Sequence, residues 1–182
     1  MSNNNNHPLG EAPWFHVSLS TGLETGFVPV APETAGALLA LLIWIGLYFV
    51  LTPTALCITT IALIIITLFL GAWTDEVMEK YWGPDPRTVV IDEYIGTWMA
   101  APAALFCQGP SYIPIALATI GFVLFRIIDI WKPLGCRWVD QNIHGGWGCM
   151  LDDVLAGFYA LILTLLIRYF GIVEIVHDYF FN

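Results

Sequence analysis

The sequence predicts an all-α membrane protein, a polytopic helix bundle with about five apolar segments and a polar site that faces the cytoplasm. Three observations support this fold class. The 182-residue chain is 58% hydrophobic and only 12% charged, whereas soluble domains are about a quarter charged. Its mean hydropathy is +0.73, and its apolar residues gather in runs long enough to cross roughly 30 Å of hydrocarbon as helices. Its charged residues cluster between those runs, which predicts a site at one membrane boundary.

The first 36 residues predict a loose segment followed by a structured loop. Residues 1–18 begin Asn-rich and polar, so we expect a loose segment ahead of a single membrane-embedded domain over 19–182. No basic and apolar leader precedes residue 35, so internal segments are expected to direct insertion. The run over 21–36 is rich in Gly and Pro, which predicts a structured loop or re-entrant piece. That loop either lines the site or simply turns the chain into the first helix.

Apolar runs predict the helices in order. A Thr-Pro-Thr break separates the first two so closely that they should form an antiparallel hairpin. A Gly-Pro-Asp-Pro turn at 83–86 precedes the third, and the tail over 171–182 is too short to cross again and should lie at the interface. The predicted segments are 35–51, 55–73, 89–107, 112–130 and 154–170.

The loop cations predict the orientation. Lys80 and Arg87 lie between segments two and three, and Lys132 and Arg137 lie between segments four and five. Five crossings place both loops on one side, which the positive-inside tendency assigns to the cytoplasm. Arg168, near the end of the last segment, is a weaker signal for the opposite side.

Net charge and cysteine pattern exclude several function classes. The formal charge of −9 argues against nucleic acid, which proteins bind with clustered Lys and Arg. It suits a protein whose carboxylates hold a divalent cation. The four cysteines form no C-x-x-C pair, so neither a zinc site nor a disulfide framework is expected. The patterns of cysteine-nucleophile phosphatases, aspartyl-phosphate enzymes and phosphate-binding P-loops are also missing.

The stretch over 125–154 carries the densest group of polar residues. Arg126, Asp129 and Lys132 are spaced three apart and should share one helix face, and Pro133 should end that helix. The acidic pairs Asp92–Glu93 and Asp152–Asp153 are predicted to begin helices at the same boundary. Carboxylates so grouped suit Mg²⁺, and the cations would hold phosphate oxygens. The candidate catalytic and metal-binding residues are Asp92, Glu93, Asp129, Asp152 and Asp153, and the candidate phosphate-binding residues are Arg126, Lys132, Arg137 and His144.

Each of these residues also has a purely structural interpretation. Arg126 and Asp129 could form an intramembrane ion pair, Asp152 could be a helix N-cap, and His144 could be an interfacial loop residue. The number of carboxylates and cations at one boundary favours a site.

Four runs of the sequence resemble the phosphatidylglycerophosphatase A family. They read T-G-L-E-T-G-F-V-P-V-A-P-E-T-A-G at 21–36, V-I-D-E-Y-I-G at 90–96, F-R-I-I-D-I-W-K-P at 125–133 and W-V-D-Q-N-I-H-G-G-W-G-C-M-L-D-D-V-L-A-G at 138–157. The first run departs from the family pattern P-G-T-x-G-S, with Glu33 at the glycine and Ala37 at the serine. The resemblance implies a Mg²⁺-dependent enzyme of the bacterial inner membrane. Its phospholipid substrate would be phosphatidylglycerophosphate, which loses its terminal phosphate to give phosphatidylglycerol.

Two other function classes remain open at this stage. A CDP-alcohol phosphotransferase would also use carboxylates and Mg²⁺, although its D-G-x-x-A-R signature is absent. A transporter would place charges near the bilayer midplane and break its helices there, whereas these charges gather at one boundary.

Overall fold

The computed structural model describes residues 11–84, 86–102, 112–133, 135–173, 175 and 179, and in those residues it is helical, without strands. One 3₁₀ turn, Thr25–Phe27, precedes the first long helix. The α-helices are α1 Trp14–Ser20, α2 Pro32–Val50, α3 Pro53–Trp82, α4 Asp92–Ala100, α5 Tyr112–Trp131, α6 Cys136–Asn142 and α7 Gly146–Tyr169. The predicted all-α fold is therefore confirmed.

Four helices, α2, α3, α5 and α7, are long and apolar enough to cross a membrane. The predicted third segment corresponds to α4, which has only nine residues and is not among the four; positions 103–107 of that prediction lie outside the described residues. The outer faces of the long helices expose large apolar side chains such as Leu42, Ile65, Phe69, Ile127 and Phe158. Such a continuous apolar surface fits contact with lipid.

Several predicted boundaries were wrong. Helix α3 runs on to Trp82 instead of ending near 73, and α7 begins at Gly146 instead of near 154. Helix α6 lies within the stretch interpreted as polar loop, and α1 overlaps the predicted loose segment 1–18. Packing explains the early start of α7: a Cβ on Gly146 would lie 2.0 Å from the carbonyl oxygen of Ala72. The first turn of α7 is therefore supported by direct contact with the backbone of α3.

Two glycines bring α4 and α7 together. A Cβ on Gly157 would lie 2.6 Å from the carbonyl oxygen of Gly96, so the two backbones meet without intervening side chains. Asp92 lies one helical turn before Gly96, and Asp153 lies one turn before Gly157. The close crossing therefore places the carboxylates of both helices at the same level.

The end of α1 and the segment over 21–36 together hold the start of α4 in place. The carbonyl oxygen of Ser20 accepts hydrogen bonds from the backbone N–H groups of Val90 (2.8 Å) and Ile91 (3.1 Å). The hydroxyl of Tyr94 donates to the carbonyl oxygen of Gly22 at 3.0 Å. The predicted loop is thus partly correct, since it contains the 3₁₀ turn, but its last residues are the first turns of α2, which starts at Pro32.

Candidate active site

A cavity of about 470 Å³ opens at one end of the bundle. Helices α2, α4 and α7 begin there, and α3 and α5 end there, so five helix ends contribute side chains. Half of its lining residues are Asp or Glu, which is unusual for a chain with so few charged residues. The ionisable side chains that line it are Glu33, Asp75, Glu79, Asp92, Glu93, Asp129, Lys132, Asp140, His144, Cys149, Asp152 and Asp153.

Three carboxylates converge in the cavity wall. Asp129 at the end of α5 meets Asp152 and Asp153 on α7, and one oxygen from each lies within 4.8 Å of the others. Asp152 and Asp153 are buried, and the Oδ2 atom of Asp153 has no hydrogen-bond partner among the described residues. Since α7 starts at Gly146, both belong to its second turn and neither is the predicted helix start.

Arg126 is the buried cation beside this cluster. Its Nη1 atom donates to the Oε2 atom of Glu93 and to the Oδ2 atom of Asp129, the latter at 3.0 Å. Its Nη2 atom lies 3.5 Å from the Oε2 atom of Glu33. The Arg126 side chain is only 8% exposed, so the guanidinium ties α5 to α4 and α2 from within the bundle.

Lys132 is the second cation and lies nearer the opening. Its Nζ atom donates to Asp140 at 2.5 Å and to Asp152 at 2.7 Å, and its side chain is 29% exposed. Partial burial lowers the pKa of Lys132, but the two carboxylates together raise it by more, so its pKa lies above the ordinary value. Lys132 therefore stays protonated and links α6 to α7.

Asp92 and Glu93 begin α4, as predicted. Burial raises the pKa of Asp92 to about 7, and the Asp152 and Asp75 carboxylates also raise it. The Cys149 thiol, which donates a hydrogen bond to the Oδ2 atom of Asp92 at 2.8 Å, opposes this rise. Burial also raises the pKa of Glu93, reinforced by Asp92 and opposed by Arg126. Asp92 can therefore exchange a proton near neutral pH.

The structure brings together most of the predicted site residues. The five carboxylates, Lys132 and His144 line the cavity, while Arg126 lies behind the wall and contacts it through Glu93 and Asp129. Arg137 is exposed on α6 and does not line the cavity.

Sequence reasoning left five ionisable residues of the cavity lining out of the candidate site: Glu33, Asp75, Glu79, Asp140 and Cys149. Asp75, 2% exposed, lines the cavity from α3, in a stretch interpreted as a polar loop because its helix was expected to end near 73. Glu33 was noted only as a departure in the loop over 21–36, and Cys149 only as unpaired. A helical interpretation of 74–82 would have placed Asp75 on the buried face shared with Ala72 and Met78.

The chain is similar to known proteins over most of its length. The family model described as Phosphatidylglycerophosphatase A matches residues 18–168. A relative from Escherichia coli K12, named phosphatidylglycerophosphatase A, is 37% identical over 80% of this chain and 77% of its own length. One from Haemophilus influenzae with the same name is 31% identical over 83% and 87%.

A further relative carries a different name. This Bacteroides thetaiotaomicron protein is 47% identical over 84% of this chain and 93% of its own length, and its provisional name is phosphatidylinositol-3-phosphatase. No solved structure shows a significant match to the chain.

Proposed function

The chain belongs to the phosphatidylglycerophosphatase A family, and we propose that it hydrolyses the terminal phosphomonoester of phosphatidylglycerophosphate in the acidic cavity with the help of Mg²⁺. The products are phosphatidylglycerol and inorganic phosphate. The observation that carries this proposal is the convergence of Asp129, Asp152 and Asp153 beside Lys132 at one end of the helix bundle.

The donor set fits Mg²⁺. Asp129, Asp152 and Asp153 offer oxygen atoms within 4.8 Å of one another, and the Oδ2 atom of Asp153 is buried without a described partner. Buried, unpartnered carboxylate oxygens are unfavourable unless a cation or proton neutralises them, and hard oxygen ligands are those that Mg²⁺ prefers. Bound there, Mg²⁺ would polarise the phosphoryl group and lower the pKa of a coordinated water.

The other residues supply charge and a proton acceptor. Because its side chain is partly exposed, Lys132 can exchange its contact with Asp140 or Asp152 for a contact with a phosphate oxygen. Asp92, with its pKa of about 7, is suited to accept the proton that water loses as its oxygen attacks phosphorus. As the bond between phosphorus and the lipid oxygen breaks, that oxygen takes a proton back from Asp92 or from water and leaves as a hydroxyl. Arg126 positions Asp129 and Glu93 and offsets their charge.

We also propose that the cavity faces the cytoplasm across a bacterial inner membrane. Five of the six cationic residues lie at the cavity end of the bundle, and Arg168 lies in the last turn of α7 at the other end. This asymmetry follows the positive-inside tendency. A cysteine introduced at Gly83, in a background without native cysteines, should react with a membrane-impermeant thiol reagent only when the cytoplasmic face is accessible.

Phosphatidylinositol 3-phosphate is a second candidate substrate, because the Bacteroides relative carries that activity in its provisional name. Both lipids bear a phosphomonoester on a polyol headgroup, so one cavity chemistry serves both. They differ in the group that leaves, a glycerol hydroxyl in one and an inositol ring hydroxyl in the other.

Phosphate release from the two lipids tests this proposal. Purified protein in detergent micelles should release phosphate from phosphatidylglycerophosphate in the presence of Mg²⁺. A value of kcat/KM that is higher for phosphatidylinositol 3-phosphate would make that lipid the substrate. Release from neither lipid would contradict the proposed function.

A further inference from the structure

Glu33 is an acidic residue at the cavity that the proposed mechanism does not use. It lies in the first turn of α2, its side chain is 43% exposed, and it lines the cavity. A carboxylate facing the entry path of an anionic substrate repels that substrate. Its place beside Arg126 therefore needs a separate explanation.

The guanidinium of Arg126 has one nitrogen that is only loosely engaged. The Nη1 atom donates to both Glu93 and Asp129, and Nε is buried without a described partner. The Nη2 atom lies 3.5 Å from Glu33 and makes no hydrogen bond among the described residues. It is thus the nitrogen best able to change partners.

Glu33 and Glu93 differ in how easily each could leave Arg126. The Glu93 side chain is 4% exposed and accepts a hydrogen bond from the Nη1 atom of Arg126 in the interior. The Glu33 side chain is about ten times as exposed, at 43%. A partly exposed carboxylate at a helix start can turn towards water without leaving a buried charge behind. Release of Glu33 would open Nη2 to an oxygen of a phosphate in the cavity.

We propose that Glu33 is a positioning residue that competes with the bound phosphate for the Nη2 atom of Arg126 and so promotes release of the phosphate product. This inference rests on the proposed phosphatase function. A lipid substrate is also held by its acyl chains in the membrane, so it stays bound although the competition weakens its phosphate contact. Inorganic phosphate has no such second attachment, so the same weakening lets it leave the cavity.

Binding of inorganic phosphate to the purified protein tests the proposal without using activity. We expect Glu33→Gln, which keeps the side chain's size but removes its charge, to tighten phosphate binding about three- to tenfold by calorimetry at fixed Mg²⁺. Glu79→Gln is the matched control, because Glu79 lines the same cavity and the described ion pairs do not link it to Arg126. It should change phosphate affinity by less than about twofold, since only longer-range charge is altered.

The lipid provides the second arm of the experiment. The apparent KM for phosphatidylglycerophosphate in mixed micelles should fall by a factor similar to that for free phosphate in Glu33→Gln, because the same Nη2 contact holds both phosphates, while the acyl chains keep the lipid more tightly bound in both proteins. Tighter phosphate binding with an unchanged KM for the lipid would overturn a shared phosphate contact. Equal effects of the two glutamine variants, or weaker phosphate binding in Glu33→Gln, would overturn competition at Arg126.

The design also separates this inference from the proposed function. If the wild type hydrolyses neither lipid but Glu33→Gln still binds phosphate more tightly than the wild type does, the proposed function is refuted and the competition is retained. If the wild type hydrolyses lipid normally but Glu33→Gln binds phosphate no more tightly, the competition is refuted and the proposed function is retained. Thermal melting of each variant confirms that the compared proteins are equally folded.

Discussion

Arg126 and Lys132 lie at the same end of α5 but occupy opposite kinds of surroundings. The Arg126 side chain is 8% exposed and contacts Glu33, Glu93 and Asp129, whereas the Lys132 side chain is 29% exposed and contacts Asp140 and Asp152. A buried cation fixes the positions of the carboxylates that surround it, because losing it would leave them uncompensated. A partly exposed cation can exchange a carboxylate for a substrate oxygen. Lys132 therefore has mainly a substrate-contacting role. Arg126 has mainly a positioning role, and only its Nη2 atom beside Glu33 is left for a phosphate oxygen.

The largest effect should follow removal of the buried cation. Arg126→Leu leaves Glu93 and Asp129 without their cation, and breaking a buried pair typically costs about 3–5 kcal/mol. We expect thermal unfolding in detergent to move to lower temperature by a correspondingly large amount. Adding Asp129→Leu should restore little of this stability because Glu93 is still unpaired, whereas adding Glu93→Gln should restore more. Full recovery with Asp129→Leu alone would show that Glu93 is not the main partner.

Removal of the exposed cation should impair turnover and leave the fold intact. Lys132→Met is expected to lower kcat by about 10²-fold, since a positioned charge at a phosphoryl group contributes roughly 2–4 kcal/mol to the transition state. Arg137→Met is the matched control, because Arg137 was a predicted phosphate-binding residue that does not line the cavity. Equal losses in the two variants would remove the distinction between them.

A smaller effect should come from disturbing the packing behind the Arg126 cluster. A Cβ on Gly96 would lie 2.1 Å from Cε2 of Phe125, which is fully buried. Gly96→Ala should therefore cost about 1–3 kcal/mol by overpacking and shift Asp92 and Glu93 with α4. Gly46→Ala on α2, where a Cβ would meet nothing within 4 Å, should leave unfolding nearly unchanged. A harmless Gly96→Ala would contradict the close packing of α4 on α5.

The last effect concerns the proton at Asp92 and is confined to one pH range. Its folded-state pKa of about 7 exceeds the ordinary value of 3.8, so the folded protein binds this proton more tightly than the unfolded chain does. The resulting stability is complete below about pH 3.8 and is lost as the pH rises through about 7. In EDTA, wild-type melting temperature should therefore decline between pH 5 and pH 8 more steeply than that of Asp92→Asn. Parallel profiles would exclude Asp92 as the titrating group.

The fold class followed from the sequence because hydrophobic runs of bilayer length leave few alternatives. The meeting of Asp92, Asp129 and Asp153 at one boundary was also predictable, since each adjoins the end of an apolar run. The glycine contacts that bring the helices so close were not. Neither glycine's local sequence shows why its position has no room for a side chain: Gly157 meets the backbone of α4 at Gly96, and Gly96 meets the Phe125 ring on α5.

The missed parts of the site depend on tertiary packing that local pattern does not reveal. Helix α3 continues beyond its apolar run because Thr74, Asp75 and Met78 are buried against the bundle end. Interpreting that stretch as a loop hid Asp75. The burial of Arg126 was predicted, because Arg126 lies within the fourth apolar segment and Lys132 lies beyond it, but the contact between Glu33 and Arg126 was not.

The dependence of turnover on Mg²⁺, measured for wild-type protein and for Asp153→Asn, tests the central claim of a metal-assisted acidic site most directly. Asp153 is the reference because its Oδ2 atom is buried without a described partner. Phosphate release from phosphatidylglycerophosphate should be abolished by EDTA and restored by Mg²⁺ in the wild type. Asp153→Asn should need at least about tenfold more Mg²⁺ or lose at least about 10²-fold in kcat, as expected when a metal ligand is removed. Full wild-type turnover in excess EDTA, or an unchanged Mg²⁺ requirement and kcat in Asp153→Asn, would contradict the account.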